Sequence, residues 1–298
     1  MKRVFVVISP ASLYVSNERL CVSRFSKKTV VPLKYVDSLI LMGEWNISSK
    51  LVNKLLKAKI PTFFLSRYGT LKGVLYADFF PSNQRVRFYQ YEAYLKRRVE
   101  VAKFLLRRKI EEIEKVFGMN LMDYKNNLER QKEVENLLGI EGFVSSAMFE
   151  AFRKRLKVPL DFQKREYRPP KDEVNALLSL YYTFNYCLAL PIVLSCGYDP
   201  YISFIHVKRG RHASFCSDLL EPIRPHLTYH ILEALNNKLF VKEDFEQNGS
   251  GVYLKKDSFE KFLNFFERKK EENLRLFSEI LNNFLEVLVE NEQSVNML

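Results

Sequence analysis

Around Pro81 and Ser82 the hydrophobic period of this chain changes, and that change constrains its fold more than any other feature of the sequence. Before it, apolar residues come in short β-branched or aliphatic runs. These are Val4 to Ile8, Leu13 to Val15, Leu20 to Val22, Thr29 to Val31, Ser38 to Met42, Ile60 to Leu65 and Leu71 to Leu75. Turn residues such as Ser16-Asn17 and Gly43 punctuate them, which is the pattern of strands. One short helix, roughly 49–58, is expected there, capped by Ser48 or Ser49 and carrying Leu51, Val52, Leu55 and Leu56. After the change, Val86, Tyr89, Ala93, Val99, Ala102, Leu105, Ile110, Ile113 and Val116 recur at helical spacing up to Gly118, a natural stop. Further helices are expected at about 133–156, at 174–194 after Asp172, and at 213–240, where Pro222 and Pro225 interrupt. A last long helix is expected to start from the Asp257 and Glu260 cap pair. The prediction is an α+β chain of two domains: a small β-rich domain over 1–80, then a larger all-α domain over 81–298.

The chain has 298 residues, with 24 Phe and 16 Tyr, enough for a sizeable core. Its formal net charge is +12, which suits a polyanion. The charge is uneven. Residues 1–80 carry 13 Lys and Arg against 4 Asp and Glu, whereas 231–298 carry 9 against 13. Cys21, Cys187, Cys196 and Cys216 are scattered with no CxxC pair, so neither a zinc ribbon nor a disulfide framework is indicated, and reduced thiols in a cytoplasmic protein are expected. No signal segment is seen in residues 1–30 and no apolar run reaches ~18 residues, so no membrane-spanning helix is expected.

All four histidines fall between positions 206 and 230, with Asp199, Asp218 and Glu221 close in sequence. Asp218 and Glu221 are three apart and share a face if helical. Two carboxylates and an imidazole can hold one divalent ion with positions left for water and substrate. Carboxylate oxygens suit Mg²⁺ or Mn²⁺, and the imidazole tilts the choice toward Mn²⁺. The same pattern also describes a solvated helix face with ordinary surface or core histidines, so spacing alone does not make a site. His226 and His230 are four apart but lack the glutamate of a zincin motif.

The wider residue context is more specific. Gly197-Tyr198-Asp199-Pro200-Tyr201-Ile202-Ser203-Phe204-Ile205-His206 is followed by Arg211, Ser214 and Asp218-Leu219-Leu220-Glu221-Pro222-Ile223-Arg224-Pro225. Upstream stand Arg165, Arg168-Pro169-Pro170, Asp172 and Val174-Asn175-Ala176-Leu177-Leu178-Ser179. Earlier still come Glu141-Gly142, and Arg87 with Gln90. In this order the motifs resemble those of the CRISPR-associated adaptation integrase family over nearly the whole chain. One departure is Ser203, where the family pattern leads one to expect glycine.

The resemblance implies a Mg²⁺- or Mn²⁺-dependent DNA endonuclease that inserts new spacers into a CRISPR array by phosphodiester hydrolysis and 3′-hydroxyl strand transfer. It implies Glu141, His206 and Glu221 as metal ligands and Asp218 as an auxiliary carboxylate. Arg165, Arg168, Lys208, Arg209, Arg211 and Arg224 are the basic residues expected to meet DNA; for Arg224 a plain ion pair is an equal alternative. It further implies a homodimer joined through the β-rich domains, working with a small ferredoxin-like adaptation protein and with no membrane. The competing expectations are a non-catalytic basic nucleic-acid scaffold and an unrelated metal-dependent hydrolase of small molecules.

Overall fold

The structure is a computed structural model that describes residues 3–8, 10–24, 27–77, 84–166, 169–206 and 212–289. The chain divides into two compact units, residues 1–80 and 81–298.

In the first unit, two four-stranded sheets are built from β1 (Arg3–Ile8), β2 (Ala11–Ser16), β3 (Arg19–Arg24), β4 (Lys27–Pro32), β5 (Val36–Met42), β6 (Trp45–Ile47), β7 (Thr62–Leu65) and β8 (Leu71–Leu75). One sheet has the order β1-β5-β7-β8 and the other β4-β3-β2-β6. β5 is paired in parallel on both sides, with β1 and β7. Most of its residues are buried, as a central parallel strand requires. β2 instead alternates buried and open positions. It turns into β3 through Asn17 and Glu18, both at positive φ (47° and 57°), the conformation a two-residue hairpin demands. α1 (Ser49–Lys57) is capped by Ser48, whose hydroxyl accepts from the Leu51 amide. Its Leu51 and Leu55 pack into a core with Leu13, Leu20, Leu39 and Leu41. The three-residue β6 lies outside the sequence expectation, being too short to show a period.

The second unit contains α2 (Gln84–Lys96), α3 (Arg98–Phe117), α4 (Met122–Arg130), α5 (Val134–Arg155), α6 (Glu173–Ser195), α7 (Ser214–Leu220), α8 (Arg224–Asn236) and α9 (Phe259–Val289). The expected continuous helix from 86 to 117 is broken at Arg97 (φ −135°), whose guanidinium donates to the carbonyls of Val287 and Leu288 near the end of α9. Satisfying those terminal acceptors gives the break a tertiary cause that periodicity does not reveal. Gly118 ends α3 in the left-handed conformation. Asp172 caps α6 by accepting from the Asn175 amide at 2.7 Å.

α6 is buried nearly all round, and Phe184 meets Phe262 and Phe266 of α9 at ring distances of 5.0 and 5.2 Å. By length and composition α6 could cross a membrane, although polar residues interrupt its apolar sequence. However, 67% of its apolar window lies inside the protein, as expected of a core helix.

Two further expectations need correction. The second unit is not all-α: β9 (Phe245–Asn248) pairs antiparallel with β10 (Gly251–Leu254). The Asn248-Gly249 turn is a hairpin signal, and Gly249 has φ +57°. The last helix begins at Phe259, with Asp257 inside a short 3₁₀ turn, Lys256–Ser258, rather than capping it. Asp244 organises this corner instead, accepting from the Val241 amide, the Ser258 hydroxyl and the Lys261 ammonium.

Candidate metal and active site

The segment after α6 folds around one side chain. Asp218, on α7 and fully buried, accepts from the amides of Phe204 (2.5 Å), Ile205 (2.9 Å) and His206 (3.1 Å) and from His206 Nδ1 (2.6 Å). A turn of three converging amides is held by one charged acceptor. Ser203, where glycine was expected, adds a brace: its hydroxyl donates to the His206 carbonyl at 2.5 Å. With Nδ1–H committed to Asp218, the His206 tautomer is set and Nε2 carries the free lone pair.

That Nε2 lies 3.5 Å from Glu221 Oε1. Glu221 follows α7 directly and is wholly buried, because Pro222 stops the helix there and the chain turns into α8. Its Oε1 has no hydrogen-bond partner, although Arg224 Nη1 stands 3.0 Å away as an ion pair. Two ligands of one ion at ordinary bond lengths sit about 3.0–3.4 Å apart. A buried carboxylate oxygen without a hydrogen bond, beside an imidazole nitrogen at nearly that spacing, fits a divalent cation.

Glu141, on α5, reaches the cluster from another direction. Between it and Glu221 stands the Lys109 ammonium of α3, which donates to Glu141 Oε1 (2.5 Å), Glu221 Oε2 (2.6 Å) and Ser145 Oγ (2.7 Å). Ser145, one turn along α5, also donates to Glu141 Oε1. Among the described residues, no three His, Cys, Asp or Glu side chains close on one ion-sized space. Glu221 is adjacent to His206, and Glu141 is joined to Glu221 through Lys109. Asp218 faces the turn rather than the carboxylate pair, so its role is to hold His206.

The electrostatics follow. Burial would raise the Glu221 pKa, but Arg224 and Lys109 overcome it and hold the carboxyl down at about 2. Burial would discharge Lys109, yet Glu221 and Glu141 push its pKa above the ordinary lysine value. Burial likewise opposes the His206 cation, and the Asp218 hydrogen bond and the Glu221 charge raise its pKa nonetheless.

Lys109 and Ser145 are the site residues that sequence reasoning missed. The signal for Lys109 was present: it occupies a position on the buried stripe of Leu105, Leu106, Ile110 and Ile113, where a lysine needs a partner.

The remaining candidates sort as follows. Arg165 donates to Asn175 Oδ1 and Ser179 Oγ, and it and Arg224 each lie 5.6 Å from the centre of the Tyr182 ring. Arg168, Lys208, Arg209 and Arg211 lie outside the described residues. His212 bonds Ser217 and stacks on Tyr186, His226 bonds Glu112, and His230 bonds Tyr181 and Glu272, so none of these three joins the cluster. Gln90 is buried and gives both amide hydrogens to the carbonyls of Asp199 and Ile202 while accepting from the Asp199 amide. The four cysteines are all free.

The arrangement of a strand-rich unit followed by a largely helical one is shared with known proteins. Residues 4–268 match the model of the CRISPR associated protein Cas1 family. The chain is 30% identical to a CRISPR-associated endonuclease Cas1 of Thermus thermophilus, covering 91% of this chain and 86% of the relative. It is 28% identical to one from Thermodesulfovibrio yellowstonii, over 87% and 81%. In structure, a CAS1 protein from Thermotoga maritima superposes with TM-score 0.87 at 22% identity over 97% of both chains. A casposase bound to its integration product gives 0.87 at 20% identity, over 97% of this chain and 91% of that one. The chain belongs to the Cas1 family, whose curated members named here are endonucleases.

Proposed function

We propose that this protein is a Mg²⁺- or Mn²⁺-dependent DNA endonuclease and integrase of CRISPR adaptation, with its metal held by Glu141, His206 and Glu221. The observation that carries this reading is the buried Glu221 oxygen without a hydrogen bond, facing the free nitrogen of a tautomer-fixed histidine. Family membership supports the activity, since the curated relatives carry the endonuclease name. When bound, the metal supplies charge stabilisation at phosphorus and an activated attacking oxygen.

The chain's own residues set the conditions for that chemistry. Asp218 orients His206 and fixes its tautomer, so that in the neutral ring the lone pair sits on Nε2. Arg224 and Lys109 keep Glu221 ionised although it is out of water. Hydrolysis and strand transfer differ only in the attacking oxygen, water in one case and a DNA 3′-hydroxyl in the other. A casposase of the same fold solved with its integration product makes the second reaction reasonable for this scaffold. The excess of Lys and Arg in residues 1–80 would engage the DNA backbone without reading sequence.

Partners belong to the same proposal. Neighbours of this fold include a Cas6-RT-Cas1–Cas2 complex and a TtCas1–DNA complex. We take a homodimer through the β-rich unit and a small ferredoxin-like adaptation partner as the assembly to test.

The test is cleavage and strand transfer with Mn²⁺, using a short duplex and a repeat-containing plasmid. Glu141→Gln and His206→Ala should each lower both activities at least about a hundredfold while DNA binding persists. Unchanged activity in both would remove the site assignment. Salt-sensitive binding without any metal-dependent turnover in the unaltered protein would favour the non-catalytic scaffold.

A further inference from the structure

The Lys109 ammonium occupies the space between the two glutamates proposed to carry the ion. Its side chain is 1% exposed, and its three donor positions go to Glu141, Glu221 and Ser145. An ammonium and a divalent ion seek the same carboxylate oxygens but at different distances, near 2.8 Å for N–H···O and about 2.1 Å for Mg²⁺.

Charge sharpens the conflict. Glu141, Glu221 and Asp218 contribute three negative charges, and Lys109 and Arg224 contribute two positive ones. With His206 neutral, as a ligand must be, the cluster is one charge short of balance. Adding a divalent ion beside Lys109 overshoots to net positive in a buried place. Replacing the ammonium with that ion brings the cluster to neutrality. Buried charges are tolerated only when balanced, so exchange is favoured over co-occupancy.

We propose that Lys109 is a resident cation that competes with the divalent metal, holding Glu141 and Glu221 together in its absence and giving up both carboxylates when it binds. This inference rests on the reading that those glutamates are the metal ligands. In this scheme Lys109 is a positioning residue. It keeps two like-charged carboxylates from repelling each other in the metal-free protein and weakens metal affinity in the free chain. The charge balance requires the ammonium to leave the cluster, so the exchange gives up the contact to Ser145 Oγ as well and carries the Lys109 side chain toward solvent.

The experiment measures Mn²⁺ affinity of the full-length, DNA-free protein by electron paramagnetic resonance of unbound Mn²⁺. Lys109→Met should bind Mn²⁺ roughly tenfold tighter or more, because the competitor is gone. Lys109→Arg, which keeps a cation, should bind no tighter than the unaltered protein. Glu141→Gln should bind at least about tenfold more weakly. Unaltered or weaker affinity in Lys109→Met, together with loss in Glu141→Gln, overturns the exchange and leaves the ligand assignment standing. Undiminished affinity in Glu141→Gln overturns the assignment and the exchange with it.

Should Lys109→Met not fold, ¹⁵N-lysine spectra of the unaltered protein decide. The Lys109 ammonium resonance, identified by its loss in Lys109→Arg, must move at saturating Mg²⁺. A resonance that stays in place overturns the proposal.

Discussion

Replacing Asp218 with asparagine separates the support of the site from its metal-facing groups. Oδ2 accepts from the amides of Phe204 and Ile205, and Oδ1 from the amide and Nδ1 of His206. An asparagine has one acceptor oxygen, so its NH₂ must face one of these two donor pairs. The less costly orientation keeps oxygen toward Phe204 and Ile205 and turns NH₂ toward His206. Nδ1 can then accept, but the His206 amide is left unpaired in a buried turn, at about 1–3 kcal/mol. The two surviving bonds become neutral rather than charge-assisted, about 1 kcal/mol weaker each. The expected loss is therefore about 3–5 kcal/mol, equivalent to about 6–20 °C in Tm for a unit of this size.

The tautomer change has a second effect. Nε2 now carries the hydrogen and presents no lone pair toward Glu221. Urea unfolding reads the first consequence. Mn²⁺-dependent cleavage, measured well below the lowered Tm, reads the second and should fall at least about tenfold. Asp218→Asn unfolding within about 0.5 kcal/mol of the unaltered protein and cleaving DNA at its rate would refute this account of the turn.

Two other perturbations have definite outcomes. His230 is buried between Tyr181 and Glu272; burial and then Lys269 lower its pKa to about 4, against 6.5 for the free side chain. The unfolded chain therefore takes up this proton below pH 6.5 while the folded one resists until about 4, so stability falls with acid across that window by up to about 3 kcal/mol. In calorimetric scans from pH 7 to 4, His230→Gln should flatten that slope, and an unchanged slope would count against the assignment. Gly251→Ala would place a Cβ 2.9 Å from the Pro169 Cβ and 2.6 Å from the Tyr253 hydroxyl. The tyrosine can swing aside but the proline ring cannot, so a loss of about 1–3 kcal/mol is expected in thermal melts, and a neutral result would contradict the packing.

Much of the architecture was legible because its causes are local. Ser48, Asp172 and Gly118 act where they stand, and the strand runs of the first unit announce themselves by β-branched composition and turn residues. The break at Arg97 was not legible, because its acceptors are carbonyls 190 and 191 residues away. The β9–β10 hairpin was overlooked within a helical context despite its Asn-Gly turn. At the site, ordered motifs pointed to Glu141, His206, Asp218 and Glu221, but not to how they are divided. Three amides and one imidazole claim Asp218, and this appears only when the turn is folded. Lys109 carried a sequence signal that periodicity treats as noise, a cation on an apolar stripe.

The Gln90 side chain has a consequence for the order in which the molecule is made. Its three hydrogen bonds fasten α2 to the 199–202 segment across 109 to 112 residues of intervening chain. Closing loops of that size costs entropy that local helices do not incur, so such contacts form late. On a ribosome, α2 emerges long before its partner segment exists, and α5 is complete before residue 221 has been added. Of the two glutamates only Glu141 exists during that interval, exposed to stray cations before Glu221 is made. Only the final third of synthesis brings them together and gives the chain a choice of which cation to keep.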